Sequence, residues 1–243
     1  MKDYNELVIG SPEAGKALLN ALDLANLGII APHKVKYFER YDMKWLEDKV
    51  DSGQELSFVT FWKADKGCEN AMFSQWYQGN PFVVNGRTYY TAEQYMMSEK
   101  ALLFGDYDIY SQIMKEKNPK QCKALGKMVQ NFDGKTWGKV AREVLFHGNL
   151  SKLQADIELV DALLSTEQAV LIEASPLDNI YGSGIAKEDL LNSDGTLKVH
   201  PKDWHTKDNP LKQSENKLGF VLMGIRDLFR DLMKIAPDCK YKE

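Results

Sequence analysis

Residues 82–106, FVVNGRTYYTAEQYMMSEKALLFGD, decide the fold class. Asn85-Gly86 stands between two β-prone runs, Phe82–Val84 and Thr88–Tyr90. This dipeptide is the strongest short hairpin signal, because both residues tolerate the positive φ of a tight turn. Thr91 then offers an N-cap oxygen, and Thr91-x-x-Gln94 has capping-box spacing. Gly105 supplies the stop, so the pattern predicts a helix over Ala92 to Phe104. Glu93 and Lys100 are seven residues apart, about two turns, and share one face of that helix. Helical side chains lean toward the N-terminus, so the arm of Lys100 is expected to reach back toward Glu93. Just upstream lies the aromatic segment Phe73-Ser74-Gln75-Trp76-Tyr77. An acid, an amine and several flat rings in one place suggest chemistry on a planar, sugar-linked base.

On the N-terminal side, Leu56–Trp62 is β-branched and aromatic and reads as a strand. Before it, Ser11-Pro12 reads as an N-cap with proline in the first turn, followed by the stripe Ala14, Leu18, Leu22 and Ala25, with Gly28 as the stop. A second helix is expected over Tyr41 to Val50, broken by Asp51-Ser52-Gly53. Residues 1–56 therefore read as a helical extension, and 57–243 as the main domain. On the C-terminal side, helices are expected at about 107–117, 119–130, 136–147 and 151–164. A short strand, Ala169–Glu173, leads into a turn-rich loop from Ser175 to Gly184, and Lys187–Leu190 reads as one helical turn. A final helix over Ser214 to Lys234 carries the stripe Leu218, Val221, Leu222, Ile225, Leu228, Phe229 and Leu232. The fold class is α+β, predominantly helical, with a small antiparallel sheet.

The chain has 243 residues, enough for one large core, and its 44% hydrophobic and 27% charged content is that of a globular protein. A net charge of −4 argues against non-specific, charge-driven DNA binding, though not against a local basic groove. No apolar run reaches the roughly 18 residues that span a bilayer, and the opening MKDYNELVIG has no secretory core, so a cytoplasmic protein is expected, or a nuclear one in a eukaryote. Cys68, Cys122 and Cys239 form no CxxC pair, and His33, His147, His200 and His205 show no zinc spacing. No metal or cofactor is implied.

Several residues are candidates for chemistry. A first-turn Glu93 gains about 0.3–1 kcal/mol from the helix dipole as a carboxylate, which disfavours it as proton donor unless burial overrides the dipole. Lys100 sits between apolar runs. It serves either as an ammonium binding a phosphate or ribose oxygen, or, if desolvated, as a neutral amine that attacks an aldehyde-like C1. Asp178 follows a strand in a loop where Pro176 fixes the entry and Gly182 and Gly184 allow close approach. Trp76, Tyr89, Tyr95 and Trp137 are the rings that could stack on a base. Arg226 reads equally as a core ion-pair partner or a phosphate contact.

Four pieces in order resemble the NADAR family, also called YbiA-like. They are FSQWY with PFVVNGRTYYTAEQYMMSEKALLFGD, then Leu125-Gly126-Lys127 with Trp137, then EASPLDNIYGSGIA (Glu173–Ala186), then ENKLGFVLMGIR (Glu215–Arg226). The resemblance covers roughly residues 57–233. It implies an N-glycosidase that cuts a C1–N bond between ribose and an exocyclic amine. The favoured substrate is ADP-ribosylated guanine, in nucleic acid or as a nucleotide. The alternatives are a phosphoribosylamino-pyrimidine intermediate of riboflavin synthesis and a non-catalytic reader of ADP-ribose. The implied catalytic residues are Glu93, Lys100 and Asp178. The implied binding residues are Phe73, Ser74, Gln75, Trp76, Tyr95, Trp137, Tyr181, Gly182, Gly184 and Asn216. Tyr181 stands where the family usually has tryptophan and keeps a flat ring for stacking, and Gln75, in place of the usual asparagine, is a second departure.

Overall fold

The computed structural model describes residues 37–65 and 67–235. The helix expected after Ser11-Pro12 lies outside the described residues. Asp42 caps α1 (Met43–Asp51), its carboxylate accepting from the Trp45 backbone N–H at 2.7 Å. Strand β1 (Phe58–Phe61) is followed by the aromatic segment and the hairpin β2 (Phe82–Val84) and β3 (Arg87–Tyr89). Asn85 and Gly86 both have positive φ, 50° and 74°, as a primed hairpin turn requires. Thr91 accepts from the Gln94 N–H and starts α2 (Ala92–Leu103), and Gly105 turns the chain at φ 71° into α3 (Tyr107–Lys115). Then follow α4 (Pro119–Lys127), α5 (Gly134–Gln154), α6 (Ile157–Leu164), β4 (Val170–Glu173), α7 (Lys187–Leu190) and α8 (Lys217–Ile235).

The chain is predominantly helical, with two small sheets of two strands each. The hairpin is antiparallel, as expected. The other sheet is not: β1 pairs with β4 in parallel, Phe58 opposite Val170 through Phe61 opposite Glu173. A parallel pair needs a long crossover, and the helices between the two strands supply it. Val170–Ile172 are fully buried, between β1 and α8. Helix α8 lies so close to β4 that a Cβ at Gly219 would come within 2.0 Å of the Leu171 carbonyl oxygen. At the centre of the molecule, α2 packs on α3, α4 and α5.

Two helix boundaries depart from expectation. The sequence suggests a break near Gly148, yet α5 runs unbroken through it. The missing side chain lets the Tyr95 ring lie against the helix, since a Cβ there would sit 2.5 Å from Tyr95 Cδ1. Asn149, next along, is fully buried and donates to Gln75 Oε1 at 3.0 Å and the Leu145 carbonyl at 2.9 Å. Tertiary packing thus outweighs the low helix propensity of glycine, about 1 kcal/mol. Helix α8 starts at Lys217 rather than Ser214, because Asn216 adopts φ 43° and turns its side chain into the core. Before the main body, residues 37–39 pack on α8, with Tyr37 and Tyr41 donating to Asp231 and Asp227. Among the described residues, no helix is long and apolar enough to cross a membrane.

Candidate active site

The parallel pair fixes where the chemistry gathers. Strands β1 and β4 both end on the same side, and the chain leaving each one forms a wall of a cleft of about 440 Å³. Trp62 and Lys63 follow β1; Glu173 ends β4; Ser175, Leu177 and Asp178 come from the next loop. Ser74 and Trp76 enter from the aromatic segment, and Lys123 from α4.

The loop after β4 is held by its own backbone. Ser175 and Ser183 N–H groups both donate to the Glu173 carbonyl at 2.8 Å. Asp178 divides its two oxygens. Oδ1 accepts from the Ile180 and Tyr181 N–H groups at 2.9 Å, while Oδ2 faces Lys123 Nζ at 3.5 Å. The turn role and the cleft role of this aspartate therefore coexist. Gly182 is packed under the loop, where a Cβ would lie 2.9 Å from the Glu173 carbonyl oxygen.

Glu93 sits behind the cleft wall, 4% exposed, with Oε1 unpartnered among the described residues. Burial raises its pKa to about 7, overriding the pull of Lys123, a hydrogen bond from the Trp76 indole, and Lys100, with Asp178 adding to the rise. The dipole argument for a permanently ionised Glu93 is thus outweighed by desolvation. Glu173 is also buried in its carboxyl group, Oε2 is likewise unpartnered, and burial with Asp178 nearby raises its pKa to about 8. Burial works against the Lys123 ammonium, but Glu93, Asp178 and Glu173 together hold its pKa above the ordinary value. Three carboxyl groups therefore act electrostatically on one cation, and Asp178 pairs with it directly.

Lys100 does not ion-pair with Glu93. Its Nζ donates to the Gly126 carbonyl at 2.7 Å and lies 4.0 Å from the centre of the Phe132 ring. Burial lowers its pKa, and Glu93 only partly opposes this. The two lysines near Glu93 are pushed in opposite directions.

Of the other residues singled out from the sequence, Ser74 and Trp76 line the cleft. Trp137 is buried on α5, its indole N–H donating to the Tyr181 hydroxyl at 3.4 Å, so these two rings form a pair beside the Asp178 loop. Neither ring lines the cleft itself, and the structure does not bring the remaining ones to it either. Phe73 is a core ring packed edge-on against Phe61. Gln75 is buried and bonded to Met96 and Asn149. Tyr95 packs with Phe82 and Tyr89 in a separate cluster. Gly184, at φ 70°, lies against His205, Thr206 and Ser214. Asn216 is fully buried, accepting from the Glu173 N–H at 3.1 Å and donating to the Leu171 carbonyl at 2.9 Å. It staples β4 to α8 and is out of reach of a ligand. Arg226 is also a core residue, donating to Thr166 Oγ1 at 2.7 Å and the Ala169 carbonyl at 2.8 Å.

Lys123, Glu173, Trp62 and Lys152 were not singled out. Glu173 carries a readable signal, a lone charge closing an apolar strand. Lys123 carries none, because its partners come from distant segments. Lys152 is 2% exposed and donates to the Met72 carbonyl at 3.0 Å and the Ser74 carbonyl at 2.9 Å, fixing the aromatic segment from behind. Burial lowers its pKa to about 7. Among the described residues, no group of three or more His, Cys, Asp or Glu side chains is arranged to hold a metal ion.

Comparison with known proteins gives one consistent picture. The family model of the NADAR domain matches residues 60–230. An N-glycosidase of Acanthamoeba polyphaga mimivirus is 35% identical over 175 residues, spanning 70% of this chain and 95% of the viral protein. The Caenorhabditis elegans protein irg-1 is 39% identical over 138 residues, 56% of this chain and 58% of the worm protein. The solution structure of Escherichia coli YbiA aligns over 78% of this chain and 92% of its own, at 21% identity, with a TM-score of 0.54.

Proposed function

This chain belongs to the NADAR domain family, and from that premise we propose that it is an N-glycosidase hydrolysing the ribose C1–N bond of ADP-ribosylated guanine. The observation that carries the reading is the pairing of Asp178 with Lys123 beside Glu173 in a cleft walled by tryptophans, with buried Glu93 acting on the same lysine. Breaking a glycosidic C–N bond requires a proton for the departing amine and relief of positive charge growing at C1. A buried carboxyl group with a pKa near 7 exchanges a proton at neutral pH, which suits Glu93 to the first task. The Asp178 carboxylate suits the second. The mimivirus relative is named an N-glycosidase, in keeping with this chemistry.

The two lysines take different parts. Lys123, surrounded by acids, stays an ammonium and sets the charge of the cleft. A nucleophilic amine must be neutral, and of the two lysines only Lys100 has a lowered pKa. In the proposed step Lys100 Nζ leaves the Gly126 carbonyl and bonds to C1. The C1–N bond to guanine breaks, and the guanine nitrogen takes the Glu93 proton. The lysine adduct returns a proton to the Glu93 carboxylate, its C1–O4′ bond opens as the remaining N–H proton passes to the ring oxygen, and water hydrolyses the resulting imine to ADP-ribose and the free lysine. A non-catalytic reader has no use for two buried acids whose pKa burial pushes up to about 7 and about 8.

The test is incubation with an oligonucleotide carrying ADP-ribosyl-guanine, followed by mass spectrometry, with and without borohydride. Free ADP-ribose, restored guanine and a reduced covalent adduct absent from Lys100→Arg are expected. Cleavage of a phosphoribosylamino-pyrimidine alone would transfer the protein to metabolite clearance. Binding with no turnover of either substrate would make it a reader.

A further inference from the structure

A second concavity, about 270 Å³, adjoins the first and shares Trp62 and Lys63 with it. Self-standing small-molecule sites start at roughly 300 Å³, so this one is small alone and reads as an annex of the main cleft. The ridge between them is chemically distinctive. Trp62 is 37% exposed, although its neighbour Phe61 in β1 is fully buried. Exposure of a large ring at the junction of two concavities makes it available for stacking. Lys63 Nζ lies 5.4 Å from the centre of that ring, within cation–π range. Acids and cations are interspersed on both sides of the ridge. The main cleft gathers Glu173 and Asp178, and Asp178 engages Lys123. In the annex, Lys187 pairs with Glu69, and Glu188 adds one further acid. Lys63, on the ridge, makes no ion pair among the described residues.

We infer that the annex is a distal subsite for a nucleoside diphosphate, with its base stacked on Trp62 and its phosphates facing Lys63. This rests on the glycosidase reading and extends it. With the scissile ribose beside Asp178, whose charge Lys123 engages, the diphosphate is drawn toward Lys63, which makes no ion pair among the described residues. The rest of the substrate then spans both concavities. Specificity for an ADP-ribosyl group over a simple ribosyl group would come from a site away from the reacting bond.

The test uses ADP itself as the probe, titrated by calorimetry into the wild-type protein and into Trp62→Ala, Trp62→Phe and Lys63→Ala. Stacking on one ring is worth about 5- to 150-fold in affinity. The expected result is weakening in that range for Trp62→Ala, recovery in Trp62→Phe, and salt-sensitive weakening for Lys63→Ala. A melting temperature for each variant close to that of the wild type secures folding, since both residues are at the surface. Absence of ADP binding, or equal binding by wild type and Trp62→Ala, would overturn the subsite. Turnover of ADP-ribosyl-guanine is read separately. A protein that binds ADP through Trp62 but cleaves nothing keeps the subsite and loses the glycosidase reading.

Discussion

Glu93 shows how one residue joins stability to activity. Its carboxyl is raised from 4.5 to about 7 by burial. A raised acid binds more protons folded than unfolded, so its cost is absent below about pH 4.5, grows through the interval, and is complete above about pH 7. Glu93→Gln replaces it with a neutral side chain of the same shape. The variant is expected to match the wild type near pH 4.5 and to exceed it at pH 8 by roughly 2–3 kcal/mol, measured by urea unfolding. Equal stabilities at pH 8 would show that folding does not raise the pKa of this carboxyl. The same change is expected to lower kcat at least about 100-fold, the low end for loss of a general acid. Without Glu93, any remaining rate should also lose its dependence on pH around 7. Residue chemistry of this kind was half legible. Glu93 stood out by its place in a capped first turn, but the direction of its titration depended on neighbours from the aromatic segment, α4 and the Asp178 loop.

At the scale of elements, the site rests on how β4 is clamped. Asn216 satisfies the Glu173 N–H and the Leu171 carbonyl together, and Gly219 allows α8 to approach the strand. Asn216→Ala leaves two buried backbone groups unpaired, at about 1–3 kcal/mol each. Its loss is expected to destabilise the fold by roughly 2–4 kcal/mol in denaturant unfolding. Activity per folded molecule should fall too, because Glu173 is held through the same bond. Full activity in the folded fraction would separate the staple from the site. Asn216 was visible in the sequence as part of an end motif. Whether it met a ligand or the strand was not, because that depends on which element packs over the helix start.

At the scale of the whole molecule, buried charges of opposite sign oppose each other across the pH range. Lys152 is lowered from 10.5 to about 7 by burial. A depressed base costs most where it is protonated, below about pH 7, and the cost fades as pH climbs toward 10.5. Glu173, raised to about 8, adds a cost that grows with pH up to that point. The acids therefore weaken the fold between about pH 5 and 8, and Lys152 strengthens it above about pH 7. Lys152→Met abolishes the second trend only. The stability of the wild type relative to this variant is expected to increase from pH 7 to pH 10, followed by thermal melting at each pH. A constant difference would mean that Lys152 stays protonated throughout. Because Lys152 also carries the Met72 and Ser74 carbonyls, a shift of the Trp76 fluorescence is expected in the variant.

The sequence by itself determined whatever depends on neighbours along the chain. Asn85-Gly86 specified the hairpin, Thr91 and Gly105 bounded α2, and apolar stripes set α8, since turns, caps and periodicity are properties of a few consecutive residues. The order of four motifs likewise determined the family. The tertiary structure alone decided what depends on segments far apart in the chain. It paired β1 with β4 in parallel across more than a hundred residues, kept α5 continuous past Gly148 by packing Tyr95 against it, and sent Asn216, Tyr95 and Gln75 into the core. It also brought Lys123 among three carboxyl groups from separate elements and raised two of those acids toward neutrality. Desolvation and charge coupling are set by distance and burial in space, and neither is written in local sequence.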